Sequence, residues 1–229
     1  MEINVITLFP QMVQQTLSYG VIGKAIESGV LKLNCFNPRD FAENKHGRVD
    51  DKPFGGGAGM VMMYDPLLRT LEHIATRGQT GSVVFLSPQG GKLEQRQCND
   101  WANMAQITLV CGRYEGVDQR FIDQHVDIEI SIGDYVISGG EMAACVVIDA
   151  VARQLQGVLG SEESAETDSF MNGMLGYPQY TRSELLGQSG VPPVLLSGHH
   201  EAIQKWRDAQ SLEITKRRRP DLLEGTSES

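Results

Sequence analysis

The chain has 229 residues, 41% of them hydrophobic, and carries 29 acidic against 20 basic side chains for a formal net charge of −9. That length and apolar content suit a soluble globular protein of one large domain, or one domain with a small appendage. The acidic balance excludes a protein that coats nucleic acid indiscriminately, so any nucleic-acid partner must be met by local basic patches.

Cys35, Cys98, Cys111 and Cys145 stand far apart with no Cys-x-x-Cys pair, and none of the five histidines falls at metal-ligand spacing. Neither structural zinc nor a disulfide is expected. Met1 to Pro10 has no basic stretch and reads as a strand entering the fold, so no secretory leader is expected. The longest apolar run, Met142 to Ile148, is too short to span a bilayer. A cytoplasmic protein without a membrane partner is the expectation.

Ile3 to Leu8 predicts a first strand, Gln11 to Tyr19 and Val21 to Ser28 two short helices, and Val30 to Phe36 a second strand. Periodicity then stops from Asn44 to Gly59, a polar stretch of both charge signs that ends in four glycines and an alanine. A loop this long inside a compact domain is usually functional or mobile. It is not a phosphate loop, because the Gly-Lys-Ser/Thr signature is missing and no apolar strand feeds it.

Asp65 to Arg77 has helical spacing. Ser82 to Ser87 predicts a buried strand, Leu93 to Trp101 a helix, Gln106 to Cys111 another buried strand, Val117 to His125 a helix and Val126 to Ser131 a strand. Short apolar strands alternating with helices predict a largely parallel sheet covered on both faces. Functional groups in such sheets gather at strand C-termini. Three glycine-bearing segments fall there: Ser87 to Gly91, Gly112 to Gly116, and Ile132 to Glu141. Together they make a pocket, although the GxGxxG dinucleotide fingerprint is absent from the chain. In the last segment the glycines can bring bare backbone to a flat ligand, and Tyr135, Val136 and Ile137 can supply apolar walls. The same segment also reads as a plain strand-to-helix connector.

Glu141 to about Gly157 predicts an apolar helix with Asp149 and Arg153 as interior charges, spaced for a surface ion pair. Residues 161–168 (SEESAETD) read as a mobile acidic linker and a domain boundary. Beyond it, Thr181 to Gly187 and His199 to Ala209 are expected helices, and Lys216 to Arg219 is a basic cluster suited to a solvated helix end or to RNA phosphates.

LSPQGG at 86–91, GRYEGVD at 112–118, SIGDYVISGGE at 131–141, IDAVAR at 148–153, DSF at 168–170, PQYTR at 178–182 and HGRVDDKPFGGGAGM at 46–60 occur in one order along the chain. In this combination the sequence closely resembles the bacterial tRNA guanine-N1 methyltransferases, the TrmD family of the SPOUT class, from the first strand to the last helix. The resemblance implies an α/β fold: a SPOUT-type parallel sheet with a deep trefoil knot at about 84–140 in a domain of residues 1–160. A flexible linker at 161–168 and a small helical, tRNA-binding domain at 169–229 would follow. It further implies an obligate homodimer with S-adenosylmethionine held bent at the subunit interface, and methyl transfer to N1 of guanosine 37 of tRNA.

By the same resemblance, Leu86, Ser87, Pro88, Gln89, Gly90, Gly112, Tyr114, Glu115, Gly116, Ile132, Gly133, Asp134, Tyr135, Val136, Ile137, Gly139 and Gly140 would line the methyl-donor pocket. Asp168 corresponds to the family's general base, and Arg153 and Glu115 to residues beside the target base. Glu115 could hold Mg²⁺, although one carboxylate is a weak metal signal. The chemistry is coherent: guanine N1 must lose a proton before it can attack, which calls for a carboxylate in reach, and a guanidinium can stabilise the charge that develops on O6. Spacing alone also fits Asp168 as a helix N-cap.

Lys45, His46, Arg48, Lys52 and Lys216 to Arg219 are the cations available to tRNA, with Tyr180 and Trp206 as packing or stacking surfaces. The chain departs from the family pattern at Gly176, Tyr177 and Ser183, and at Ala58 and Ala143, where prolines are usual. Methylation of another RNA atom, or a non-catalytic RNA- or ligand-binding module that keeps the pocket, are the competing readings.

Overall fold

The alternation of apolar strands and helices is realised as β1 (Glu2–Ile6), α1 (Pro10–Leu17), α2 (Gly20–Glu27), β2 (Lys32–Phe36), β3 (Asp50–Asp51), β4 (Val61–Met62), α3 (Tyr64–Thr76), β5 (Ser82–Lys92), α4 (Gln95–Ala102), β6 (Gln106–Cys111), α5 (Gln119–His125), β7 (Ile128–Ser131) and α6 (Gly140–Ala152). This computed structural model describes residues 1–78, 80–160, 165 and 167–224. The chain divides into two units, Met1–Ser161 and Glu162–Ser229.

In the first unit, β2-β1-β6-β5-β7 form a wholly parallel sheet. β6 is buried from Ile107 to Cys111, as a central strand covered on both faces must be. Alternation along the strands divides the core in two. Val84, Leu86, Ile107 and Leu109 pack with Val13, Ile22, Ala144 and Ile148 of α1, α2 and α6. Val83, Phe85 and Val110 pack with Leu67, Leu71 and Ile74 of α3 and Phe121 of α5. Each Val, Leu, Ile or Phe among them, once fully buried, contributes about 1.5–3 kcal/mol. Thr108 is a buried polar exception, and its hydroxyl donates to the Thr80 carbonyl at 2.6 Å.

The order of the sheet positions the site. The chain lays β2 on one side of β1, then crosses over and places β6 between β1 and β5. Because all strands are parallel, the loops after β5, β6 and β7 leave from one edge, beside the reversal in strand order.

Several elements differ from their sequence expectations. β5 runs to Lys92 instead of stopping at Ser87, because Ile130 of β7 is in register with Leu86 and again with Gly91. Residues 87–90 bulge between those two pairings. α6 ends at Ala152 with Arg153 as its C-cap, so Arg153 stands at the helix end and not inside it. The irregular stretch 44–59 is closed at its base by an antiparallel β3–β4 ribbon that pairs Asp50 with Met62 and Asp51 with Val61.

In the second unit the helix His200–Arg218 is the longest element. It runs nine residues past the expected end at Ala209 and takes Lys216, Arg217 and Arg218 into its last turn, where cations favour the helix dipole. Thr215 is buried on it and accepts the Leu175 N–H at 3.0 Å. The helix expected at Thr181–Gly187 is not formed. Ser183 instead closes a turn, its carbonyl accepting the Gly187 N–H at 2.9 Å and its hydroxyl the Leu186 N–H at 3.1 Å. Leu185 is 97% exposed, so no packing rewards a helix there, and the serine offers the backbone a competing bond. Of the linker expected at 161–168, residues 161–164 and 166 lie outside the described residues. Among the described residues, no helix is long and apolar enough to cross a membrane.

Candidate functional site

The three loops at the C-terminal edge of the sheet enclose a cavity of about 370 Å³, within the usual size of a small-molecule site. Leu86, Ser87, Pro88 and Gln89 line it from β5. Gly112, Tyr114, Glu115 and Gly116 line it from the loop after β6, and Ile132, Gly133, Tyr135, Val136, Ile137, Gly139 and Gly140 from the loop after β7. Two expected residues do not line it. Asp134 turns outward to Lys92, 3.1 Å away, in an exposed ion pair worth about 0–1 kcal/mol. Gly90 lies against the β7 backbone, where a Cβ would come within 2.3 Å of Glu129 and Ile130. A larger cavity, about 820 Å³, sits beside the β3–β4 ribbon near Lys52, Phe54, Tyr64 and Arg120. It collects none of Pro88, Gly112 or Gly140.

Backbone dominates the smaller cavity. Gly116 and Gly133 have φ of 133° and 153°, and Tyr114, without a glycine's freedom, is held at φ 60°. Such strain persists only where its surroundings enforce it, and it concentrates at functional sites. Gly133 is bracketed by Ser131, whose hydroxyl donates to the Gly133 carbonyl at 2.9 Å and accepts its N–H at 3.2 Å. Tyr135, Val136 and Ile137 are all exposed, an apolar wall that a ligand would cover.

The long irregular stretch clasps this site from outside. Met60 O accepts the Glu115 N–H at 2.9 Å, Met62 N–H donates to Gly116 O at 2.9 Å, and Met62 O accepts the Asp118 N–H at 3.0 Å. Gly59 makes room for the Glu115 side chain, since a Cβ there would lie 2.4 Å from the carboxylate.

Neither Arg113 nor Glu141 stands out as a functional residue from sequence pattern. Glu141 is fully buried at the second position of α6 and accepts from Arg113 Nε and from Thr7 Oγ1, each at 2.8 Å. Both residues fall inside motifs noted in the sequence, and a charged residue in an apolar helix start was the signal available. Beneath them Cys111 is entirely buried. Desolvation pushes its thiol well above the ordinary range, and the Glu141 charge pushes it further in the same direction, which makes it an inert thiol.

Glu115 and Arg153 belong to the first unit and Asp168 to the second. Arg153 is half-buried, and its backbone N–H donates to Asp149 O at 3.1 Å. Asp168 is half-buried at the head of a series of turns: its carbonyl accepts the Met171 N–H at 3.4 Å, and the neighbouring Ser169 hydroxyl accepts the Gly176 N–H at 2.9 Å. Residues 169–174 form turns and bends and not a helix, which removes the N-cap alternative. The departures at Gly176 and Tyr177 have places in this unit, Gly176 in that bond to Ser169 and Tyr177 under the Arg207 guanidinium, 4.8 Å from its ring centroid. Among the described residues, no three His, Cys, Asp or Glu side chains gather as a metal site.

Comparison with known proteins places this architecture. Residues 1–225 match the family model described as tRNA (Guanine-1)-methyltransferase TrmD. The tRNA (guanine-N(1)-)-methyltransferase of Haemophilus influenzae (strain PittGG) is 53% identical over 226 residues, covering 98% of this chain and 92% of that protein. The enzyme of the same name from Actinobacillus succinogenes is 52% identical over 225 residues, 98% of this chain and 92% of its own. That from Shewanella sediminis is 51% identical over 225 residues, 98% and 93% respectively. With a family match over nearly its whole length and relatives above half identity, this chain belongs to the tRNA (guanine-1)-methyltransferase family.

Proposed function

We propose that the protein transfers a methyl group from S-adenosylmethionine to N1 of guanosine 37 of tRNA. The observation that carries this reading is the backbone-lined cavity at the strand C-termini, in a chain that matches this family from residue 1 to 225. The cavity suits the donor. Its volume is of the order of a nucleoside bearing an amino-acid chain, Gly116 opens a wall where a Cβ would meet nothing within 4 Å, and Tyr135, Val136 and Ile137 offer apolar surface. When bound, the donor supplies an electrophilic methyl on a sulfonium.

The chain's own residues supply the rest. Asp168 takes the proton from guanine N1, since the lone pair is not available while that proton remains. Arg153 stabilises the charge that builds on O6, and Glu115, held at the cavity rim by Met60 and Gly59, orients the base. Mg²⁺ at Glu115 would depend on substrate oxygens and water for its remaining ligands, because one carboxylate does not make a protein cage. Lys45, His46, Arg48 and Lys52, with Lys216 to Arg219, are assigned to tRNA phosphates, the second unit acting as an RNA-binding domain.

A trefoil-knotted path through residues 84–140 is part of the same proposal, implied by the family match over residues 1–225. Exposed Met142 and Val146 on the mostly buried α6 support a homodimer.

Labelled S-adenosylmethionine and unmodified tRNA, followed by digestion to nucleosides, test the reading. 1-Methylguanosine is expected, and label on a ribose or on no nucleoside would overturn it. Asp168→Ala is expected to lower methyl transfer by about 10²–10⁴-fold, the usual contribution of a general base, and to cost far less in folding stability. Near-parental turnover would remove Asp168 from the chemistry.

A further inference from the structure

Arg113 and Glu141 join two of the loops that form the pocket. Glu141 takes Arg113 Nε on one carboxylate oxygen and Thr7 Oγ1 on the other, each at 2.8 Å. Arg113 Nη1 then reaches across to the Ser138 carbonyl at 3.0 Å, and the guanidinium lies over the Phe9 ring, 4.5 Å from its centroid. Close by, the Gly140 N–H donates to Gly112 O at 2.9 Å. The loop after β6 is thus tied to the loop after β7 by one backbone bond and by one side chain that spans from a buried carboxylate to a carbonyl on the pocket rim. Gly139 leaves space for that side chain, since a Cβ there would lie 2.2 Å from Arg113 Nε.

The residue types fit a clamp. A carboxylate with no exposure requires partners that satisfy both oxygens. A guanidinium presents several N–H groups in a rigid fork and can hold two acceptors at fixed separation, which the point charge of a lysine cannot. A pocket built of loop backbone binds best when its loops are already in place, because ordering them on binding subtracts from affinity.

We infer that Arg113, held by Glu141 and Thr7, is a positioning residue for the methyl donor: it fixes the Gly112–Gly116 wall against the Ser138–Gly140 wall and so sets donor affinity. This rests on the proposed function above. The clamp acts on the donor pocket and leaves tRNA binding alone.

Initial rates with S-adenosylmethionine and tRNA varied separately, for the parent, Arg113→Lys, Glu141→Gln and Thr7→Val, together with ligand-free melting, provide the test. Arg113→Lys is expected to raise the KM for the donor about tenfold, the worth of one charge-assisted hydrogen bond. The KM for tRNA and kcat at saturating donor should stay at parental values. Glu141→Gln should act in the same direction, and Thr7→Val more weakly. A folded Arg113→Lys with parental donor KM overturns the inference. So does a variant in which both KM values, kcat and melting temperature worsen together, the mark of a pair that only supports the fold. If Arg113→Lys does not fold, Thr7→Val, which removes one hydrogen bond and keeps the side-chain shape, is judged by the same criteria. A parent that methylates no tRNA overturns the proposed function instead, and donor titration calorimetry on the same proteins then decides the clamp by itself.

Discussion

At the scale of single residues, the pocket glycines differ in what their missing Cβ leaves room for. At Gly140 a Cβ would stand 2.7 Å from the Cys111 α-carbon, a backbone atom in the central strand that cannot withdraw. At Gly139 it would meet the Arg113 side chain, and at Gly91 it would meet nothing within 4 Å. Gly140→Ala is therefore expected to destabilise the fold by about 1–3 kcal/mol, as overpacking does, and to impair donor binding as the two loops part. Gly91→Ala, two positions beyond Gln89 in the same motif run, should stay within about 0.5 kcal/mol of the parent. Urea unfolding of both variants checks the contrast, and equal losses would show that proximity in the motif, not the space at each Cα, governs tolerance.

At the scale of elements, the β3–β4 ribbon acts as the outer clasp of the loop after β6, through Met60 and Met62. Gly59 combines a left-handed φ of 81° with a Cβ direction that runs into Glu115. Gly59→Ala should displace Glu115 and lower kcat on the order of a hundredfold, the cost of misplacing a reacting group by about 1 Å, while donor affinity measured by calorimetry stays near the parent's. Loss of donor affinity in step with kcat would mean that the ribbon supports the pocket rather than the target base. Much of this level was legible in the chain. β6 occupies the expected segment, Gln106–Cys111, since burial on both faces leaves a nearly continuous hydrophobic signature. The ribbon was not legible, because two-residue strands carry no periodicity and Asp50 and Asp51 are poor strand formers. Neither was the continuation of β5 through Pro88, Gln89 and Gly90, where chain-breaking residues sit inside a segment whose pairing is dictated by β7. The expected helix at 181–187 failed for the converse reason: its local pattern was helical, but Leu185 is left almost fully exposed. Arg113 and Glu141 are 28 residues apart, and a contact of that separation is invisible to any pattern of near neighbours.

At the scale of the whole molecule, α6 poses the remaining question. Its residues from Ala143 to Cys145 and from Val147 to Ile148 are buried, yet Met142 and Val146, one helical turn apart, are 45% and 47% exposed. α1 and α2 pack on the same helix, and Phe9, Tyr19 and Val21 in or beside them are exposed as well. Large apolar side chains left outward on a core helix mark a surface that another protein surface covers. A second copy satisfies this requirement without any further component, and an isologous contact would place the same helix from each copy at the interface. Val146→Glu would then bury two like charges against each other across the two-fold axis, so the variant should run as a monomer in light scattering, where the parent is expected to run as a dimer. Phe9 supports the Arg113 guanidinium at 4.5 Å, so uncovering that face should also loosen the clamp and raise the donor KM in the monomer. A Val146→Glu protein that remains dimeric would place the interface elsewhere. A monomer with parental donor KM would separate assembly from the pocket and leave Arg113 to act within a single chain.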